Sequence, residues 1–161
     1  MTTHQPIDHS IRISIGHRRI VAAFFDPEDL KAWWGIRCAV VEPRPGGLYL
    51  LAWPETQAGS QGPWSGILAG VVREYHPTDG FSLTSTHWLT GAGESFGPSD
   101  LTIRIDGKIN QSVLTVRQAG FPTDPDGNRL GERASRGWVS CISSLKNYLD
   151  ADPPTDPSTP D

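Results

Sequence analysis

The stretch NRLGERASRGWVSCISSLKNYLD, residues 128–150, decides the fold. Its larger apolar residues recur in steps of three and four, at Leu130, Ala134, Trp138, Cys141, Ile142, Leu145 and Leu149. This spacing places them on one face of an α-helix. A long helix with such a face needs a large apolar partner, which the rest of the chain is expected to supply.

Residues 38–121 have the pattern of that partner. Short alternating segments are separated by Gly, Pro and Asp turns, which is typical of one antiparallel sheet. The predicted strands are residues 38–41, 48–53, 64–75, 81–88, 101–105 and 114–117, with loops over residues 54–63 and 90–98. Gly66 and Gly70 interrupt one strand pattern, so we expect bulges or a close backbone approach there and a curved sheet.

The chain upstream of the sheet predicts one strand and two short helices. Residues 11–15 alternate between apolar and polar, as a half-buried strand does, and residues 17–25 fit a short helix. Asp26 can cap a second helix whose first position suits Pro27, and Gly35 is expected to end it. The two short helices and the long C-terminal helix would pack on one face of an antiparallel sheet, so we predict an α+β domain.

The composition bounds the class of protein. The chain has 161 residues and a net charge of −4, which suits one domain and gives no basic footprint for nucleic acid. We predict a single domain over residues 11–150, a flexible N-terminus over residues 1–10 and a disordered Pro- and Asp-rich tail over residues 151–161. No apolar run is long enough for a signal peptide or membrane insertion, so a cytoplasmic protein with reduced, buried thiols at Cys38 and Cys141 is expected.

Several local strings resemble a known family. They are DPEDLKAWWG at residues 26–35, EPRPGGLYLL at 42–51, GVVREYHP at 70–77, QAGFP at 118–122 and GWVSCISSLKNYL at 137–149. With the predicted element order, they resemble the C-terminal-like domain of activators of the ninety-kilodalton heat-shock protein ATPase, within the START-like, birch-pollen-allergen-like helix-grip superfamily. The resemblance implies about seven antiparallel strands curled around the last helix, with a cavity between them. That superfamily includes lipid carriers, hormone receptors, cyclases and cochaperone domains, so the fold alone does not choose a function.

The aromatic residues suggest what the cavity binds. Tyr49, Trp53, Trp64, Trp88 and Trp138 come from strands, strand ends and the long helix, and a curved sheet could bring them to one pocket. Strand alternation would place Ser85 and His87 beside Phe81 and Leu83 on the inner face. The complete predicted pocket is Tyr49, Trp53, Trp64, Glu74, Phe81, Leu83, Ser85, His87, Trp88, Ile103, Gln118, Trp138, Cys141 and Leu145. The alternative is that these aromatics fill a core without voids. Of Trp33 and Trp34, one is expected to pack and the other to stay partly exposed.

Three functions fit these observations. The first is binding of a hydrophobic or aromatic small molecule in the pocket, oriented by Ser85, Gln118 or His87. The second is a protein-interaction module with a chaperone partner, which would use an exposed surface. The third is a cyclase- or hydrolase-type enzyme that would depend on His87 and Glu74, although a strand-end histidine and a salt-bridged glutamate are the simpler interpretations.

Sequence motifs provide no further chemistry. No metal-ligand spacing, nucleophile elbow or phosphate loop occurs in the sequence, so no metal, cofactor or catalytic residue is predicted. Small helix-grip domains can pair, so a homodimer is compatible with the sequence, although no patch visible in the sequence argues for one.

Overall fold

The computed structural model describes residues 6–54, 65–91, 93–108 and 110–151. In chain order, its elements are β1 (Ile7–Ile13), α1 (His17–Ala23), α2 (Pro27–Trp34), β2 (Cys38–Val41), β3 (Leu48–Ala52), β4 (Ile67–His76), β5 (Gly80–Leu89), β6 (Ser95–Lys108), β7 (Gln111–Ala119) and α3 (Pro125–Asp150). The predicted α+β helix-grip architecture, with two short helices between the first two strands and a long C-terminal helix, is confirmed.

All seven strands belong to one antiparallel sheet with the order β1-β7-β6-β5-β4-β3-β2. The two short helices carry the chain from β1 at one edge to β2 at the other, and the remaining strands follow each other as hairpins. The apolar face of α3 is buried against this sheet through Ala134, Trp138, Cys141, Ile142, Leu145 and Leu149. The core therefore lies between α3 and the inner face of the sheet.

Local capping chemistry sets the helix ends. The Asp26 side chain accepts hydrogen bonds from the backbone N–H groups of Glu28 and Asp29, and Gly35 ends α2 in a left-handed conformation with φ of 70°. α3 begins at Pro125, three residues before the predicted start, because Asp124 Oδ1 accepts the Gly127 N–H at 2.6 Å. The proline then occupies the first turn, where its missing N–H costs nothing.

β1 and β6 begin at least four residues before their predicted limits. β1 begins at Ile7 because residues of this segment pair with β7, as Ile7 does with Gln118. β6 begins at Ser95, inside the predicted second loop, because Leu89 pairs with Ser95 in the β5–β6 hairpin. Tertiary pairing thus adds polar residues that lack a strand pattern of their own. The predicted first loop lies almost entirely outside the described residues, as do residues 152–161 of the predicted tail.

Bulges interrupt the pairing of β4 with β5. The register shifts between Ala69 and Val71, where β4 advances two residues and β5 three, so the extra residue lies in β5 across from Gly70 and not at Gly70 itself. Gly66 has φ of 79°, and a Cβ there would collide with the Leu89 carbonyl, which confirms the close backbone approach. This bulge in β5 contains Ser85, whose φ of 53° is unusual for a residue with a side chain.

Candidate functional site

Most of the predicted pocket residues lie in one core between the sheet and α3. The buried members are Tyr49, Trp53, Phe81, Leu83, Trp88, Ile103, Gln118, Trp138, Cys141 and Leu145. Trp64 lies outside the described residues. The structure therefore brings most of the predicted set together, while contact with a ligand stays a prediction.

Aromatic rings pack closely in this core. The ring centroid of Trp34 lies 5.6 Å from that of Trp53 and 5.5 Å from that of Trp138, and Trp33 stacks on Trp34 at 4.9 Å. Both Trp33 and Trp34 are buried, so the prediction that one of them stays partly exposed is wrong. The reason is that α2 is covered by α3, where Ser144 Oγ donates to the Trp33 carbonyl at 2.6 Å.

Polar atoms of the aromatic residues bond to the backbone of neighbouring segments. These bonds run from Tyr49 Oη to Phe24 O at 2.8 Å, from Trp53 Nε1 to Trp34 O at 3.1 Å, and from Trp88 Nε1 to Ser65 O at 2.8 Å. Each bond satisfies a buried donor and joins the sheet to another segment of the chain. The indole and phenol groups thus stabilise the fold whether or not a ligand is present.

A chain of buried polar groups crosses the core from α3 to β5. Trp138 Nε1 donates to Gln118 Oε1 at 2.8 Å, and Gln118 Nε2 donates to Ser99 Oγ at 3.1 Å. Ser99 Oγ in turn donates to the Thr86 carbonyl at 3.3 Å. Gln118, which the sequence suggested as a ligand-orienting group, therefore uses both ends of its amide within the protein.

Thr86, like Ser99, is a buried polar residue of this core that sequence reasoning missed. Its side chain is 1% exposed, and among the described residues Oγ1 has no hydrogen-bond partner. The hydroxyl faces Gly70, where an added Cβ would lie 2.9 Å from Oγ1. An unsatisfied buried hydroxyl costs roughly 1–3 kcal/mol. No local sequence signal marks Thr86, because strand alternation from Phe81 predicts Ser85 on the inner face.

Ser85 and His87 are both exposed, so their predicted inward orientation is wrong. The bulge at Ser85 reverses the alternation, so that Thr86 and Trp88 are buried and their neighbours face outward. The His87 imidazole Nδ1 lies 3.0 Å from the Ser85 carbonyl. His87 is therefore a backbone-bonded strand residue on the outer face of the sheet.

Glu74 is also exposed, which contradicts its predicted place on the inner face. A register shift between Val72 and Glu74 ends the alternation that would have buried it. Glu74 pairs with Ser82, whereas His87 pairs with Ala69. Since each strand residue advances about 3.3 Å, the positions of Glu74 and His87 lie roughly 17 Å apart along β5. The two residues on which the enzyme reading depended therefore do not form one site.

The thiols occupy different environments. Cys141 is buried, as expected, whereas Cys38 is exposed on β2, which contradicts the expectation of two buried thiols. Burial raises the pKa of the Cys141 thiol well above its ordinary value, so it is a neutral apolar group and not a nucleophile.

In the described part of the chain, no group of three or more His, Cys, Asp or Glu residues could hold a metal ion. No described helix is long and apolar enough to span a membrane.

An open cleft lies at the N-terminal end of α3. Its volume is about 390 Å³, and its apolar walls include Phe96, Pro98, Pro122 and Leu130. Phe96 connects the cleft to the core, because its ring centroid lies 6.1 Å from that of Trp88 and 4.7 Å from that of Phe121. The cleft is thus a surface depression whose wall includes Phe96, a residue of the core.

Ion pairs beside this cleft join the β5–β6 hairpin to α3. Glu94 Oε2 accepts a hydrogen bond from Arg129 Nη2 at 2.8 Å, and Glu94 Oε1 lies 3.7 Å from Arg133 Nη1. The Arg133 guanidinium lies 5.2 Å from the Trp88 ring centroid. These contacts cover one end of the core with charged side chains that water can reach.

A second polar cluster joins the three helices at the far end of α3. Arg19 of α1 donates to Asp29 of α2 through Nη1 at 2.7 Å and Nη2 at 2.9 Å, and Tyr148 Oη of α3 donates to Asp29 Oδ1 at 2.5 Å. Burial alone would raise the pKa of Asp29, but the hydrogen bonds from Arg19 and Tyr148 outweigh it and lower that pKa. The cluster was not anticipated because its members are 10 and 119 residues apart in sequence.

Comparisons with known proteins agree with this architecture. A family model described as "Activator of Hsp90 ATPase homolog 1-like protein" matches residues 17–150. No curated protein matches the sequence. Among solved structures, protein MLL2253 from Mesorhizobium loti is similar with a TM-score of 0.72 and 20% identity, covering 92% of this chain and 98% of that one.

Two other solved structures show the same likeness. The Aha1 dimer from Colwellia psychrerythraea has a TM-score of 0.67 and 16% identity, covering 94% of this chain and 100% of that one. DynU16, described as a putative protein in the dynemicin biosynthetic locus, has a TM-score of 0.64 and 15% identity, covering 91% of this chain and 48% of that one. At these identities the likeness concerns the fold alone.

Proposed function

The chain belongs to the activator of Hsp90 ATPase homolog 1-like family, and from that membership we propose that it binds a hydrophobic or aromatic small molecule between the sheet and α3. The observation that supports this most directly is the Thr86 hydroxyl. It lies in the apolar core without a hydrogen-bond partner among the described residues. A ligand that carries one polar group would satisfy it and remove the cost of its burial.

The charges around the core limit the class of ligand. Among the described buried residues there is no Lys, Arg or His, and the one buried carboxylate, Asp29, already pairs with Arg19. An ionised carboxylate beside Thr86 would thus lose its hydration without a counter-ion, which costs several kcal/mol. The proposed ligand therefore bears a neutral hydroxyl, carbonyl or amide group on an apolar body.

Entry to the core is proposed through the cleft at the N-terminal end of α3. The cleft leads to Phe96, and the Glu94 ion pairs beside it are exposed enough to break at low cost. Rotation of the Phe96 ring away from Trp88, whose ring centroid lies 6.1 Å from it, would open the cleft toward the core. Burying apolar surface there would stabilise the complex by about 25 cal/mol for each Å² removed from water.

The test compares Thr86→Val with the wild type. Valine keeps the shape and removes the hydroxyl, and Thr102→Val on the exposed face of β6 is the matched control. The probes are 2-naphthol and 1-dodecanol, which carry a hydroxyl. The comparison probes are naphthalene, which lacks a polar group, and dodecanoate, which carries a carboxylate. Binding is measured by calorimetry and by the rise in melting temperature that a ligand of the folded state produces.

The expected result has two parts. The hydroxyl probes raise the melting temperature of the wild type and of Thr102→Val, and Thr86→Val binds them about 5-fold more weakly, as loss of one hydrogen bond implies. Naphthalene binds the wild type and both variants equally. The proposal is wrong if no probe stabilises the wild type, or if Thr86→Val binds 2-naphthol as tightly as the wild type does.

A protein-interaction role with a chaperone partner is the second candidate. It is favoured by the close ring packing around Trp34 and by the internal bonding of the aromatic polar atoms, which suit a dry interior. The test is whether the chain raises the ATPase rate of an Hsp90 while the small-molecule probes fail. The expected cytoplasmic location remains a prediction.

A further inference from the structure

β1 is an edge strand whose free side is open to pairing. It is the first strand in the sheet order and pairs with β7 alone, through all seven residues Ile7–Ile13. Among the described residues, no group outside β7 hydrogen-bonds to its backbone. Alternate N–H and C=O groups of such a strand point away from the sheet and form a template for another strand. The free side of β1 is about 23 Å long.

A cleft adjoins the first half of β1. Its volume is about 480 Å³, and it lies between residues 6–9 and the flank of α3. The residues of α3 that line it are Gly131, Glu132, Ser135 and Arg136. Ser135 Oγ lies 2.8 Å from His9 Nε2, which holds α3 against the inner face of β1. The lining, over the described residues, includes none of β7, so the cleft opens on the free side of β1 and leaves room there for a second strand.

The sequence of β1, IDHSIRI, is complementary to itself. If two copies pair in antiparallel register with Ser10 opposite Ser10, Asp8 of each copy lies opposite Arg12 of the other, and Ile7 lies opposite Ile13. Opposite charges directly across an antiparallel pair stabilise it. The two-fold symmetry produces this ion pair twice. The symmetry depends on the observed start of β1 at Ile7, because the strand predicted from the sequence began after Asp8.

The charges of Asp8 and Arg12 are available for this pairing. Both side chains are exposed and lie on the outer face of the sheet. Arg117 is the neighbour of Asp8 in the β1–β7 register but forms no ion pair with it. Among the described residues, neither the Asp8 nor the Arg12 side chain has a hydrogen-bond or ion-pair partner. A parallel pair of β1 strands in the same register would place like charges side by side, so the charges favour the antiparallel pair.

We propose that two copies of this chain associate through β1, which joins their two seven-stranded sheets into one continuous antiparallel sheet. Main-chain hydrogen bonds provide the affinity in strand addition of this kind, and side-chain pairs fix the register. Half-buried Ile11 of one copy lies opposite His9 of the other, beside the cleft, so apolar surface is also removed from water. One strand pair is a small interface, so the dimer is reversible and depends on concentration. The interface is independent of the proposed ligand site, because that site is centred on Thr86 of β5, near the middle of the sheet.

Sedimentation velocity of the full chain between about 5 and 500 μM, a range that suits a weak interface, tests the charge pairs. The sedimentation coefficient of the wild type is expected to rise with concentration. Asp8→Arg alone and Arg12→Asp alone are each expected to associate at least about 10-fold more weakly, because like charges then face each other. An equimolar mixture of these two variants is expected to recover association, since every Arg again faces an Asp. The control is Arg104→Asp on the exposed outer face of β6, which changes the net charge as Arg12→Asp does and should behave as the wild type.

Disulfide trapping tests the register separately. The background is Cys38→Ser, in which the remaining thiol, Cys141, is buried. Ser10→Cys places one thiol of each copy opposite the other, with about 5 Å between their Cα atoms, which is within the reach of a disulfide. It is therefore expected to form a covalent dimer under mild oxidation. Arg12→Cys is the matched control, because residue 12 lies more than about 10 Å from its own counterpart in this register and should not cross-link.

Circular dichroism and melting temperature confirm that each variant folds, and disulfide trapping decides the question if a charge variant does not fold. The proposal fails if the wild type is monomeric at the highest concentration. It also fails if both charge variants dimerise as the wild type does, if their mixture stays monomeric, or if Arg12→Cys cross-links as fast as Ser10→Cys.

Discussion

Asp29 connects three helices through one carboxylate. It accepts two hydrogen bonds from Arg19 of α1 and one from Tyr148 of α3, while it lies in the first turn of α2. Its side chain is 12% exposed, so these bonds form away from bulk water and are stronger than surface pairs. Asp29 thereby positions the short helices against the C-terminal end of α3.

Asp29→Asn is expected to destabilise the protein by about 2 kcal/mol, because the neutral amide cannot satisfy both Arg19 and Tyr148. Urea unfolding followed by tryptophan fluorescence measures the change. The control is Glu28→Gln, which removes a carboxylate that is 86% exposed and should change stability by less than about 0.5 kcal/mol. Equal effects of the two substitutions would contradict a special role for Asp29.

The same carboxylate makes stability depend on pH. The pKa of Asp29 is lower in the folded than in the unfolded protein. Its contribution to the free energy of unfolding is therefore complete above the pKa of the unfolded state, near 4, and is lost as the pH falls through the pKa of the folded state. The difference in free energy of unfolding between the wild type and Asp29→Asn should therefore shrink progressively below about pH 4. Unfolding both proteins in urea between pH 7 and pH 2.5 measures this difference, and a constant difference across that range would contradict the assignment.

At the scale of elements, two bulges decide which side chains of β4 and β5 face α3. One lies in β5 at Ser85, and the other lies in β4 between Val72 and Glu74. Without them, Ser85 would face the core in place of Thr86, and Glu74 would also face it. The strands themselves are predictable from composition, but their inward side chains are not.

The contact between Gly70 and Thr86 can be tested directly. Gly70→Ala is expected to cost about 1–3 kcal/mol, because its Cβ would lie 2.9 Å from Thr86 Oγ1 in a packed core. In a Thr86→Ala background the same change should cost at least about 1 kcal/mol less, since the opposing atoms are gone. A double-mutant cycle by urea unfolding gives this coupling energy. A coupling near zero would show that the two residues do not restrict each other.

At the scale of the whole molecule, the sheet order places β5 in the middle and β1 and β2 at the edges. β2 has only four residues and pairs with β3 alone, whereas β5 pairs along its length with both β4 and β6. Short edge strands open locally more easily than central strands.

Amide hydrogen exchange should show this gradient. The amides of β5 are expected to exchange only through global unfolding, and those of β2 at least about 100-fold faster, because local opening exposes an edge strand at lower cost. Exchange measured by NMR at two denaturant concentrations separates local from global opening. Equal protection in β2 and β5 would contradict this expectation.

The element order follows from the sequence because its signals are local. The three- and four-residue spacing of α3, the Asp26 cap and the Gly35 stop each act within one or two turns of helix. Alternation within short segments likewise predicted the sheet. The core positions Tyr49, Trp138 and Leu145 were therefore predictable without the tertiary structure.

Only the tertiary structure decided which polar groups reach the core and which apolar groups remain outside it. Burial of Thr86, exposure of His87 and Glu74, and the alignment of Cys38, Ile67 and Leu89 depend on bulges and on strand register. A one-residue shift moves a side chain to the opposite face of a sheet, and partners on other strands set that shift. The sequence by itself determined the elements and their order, whereas long-range pairing determined which side chains meet at the candidate site and which apolar side chains stay exposed.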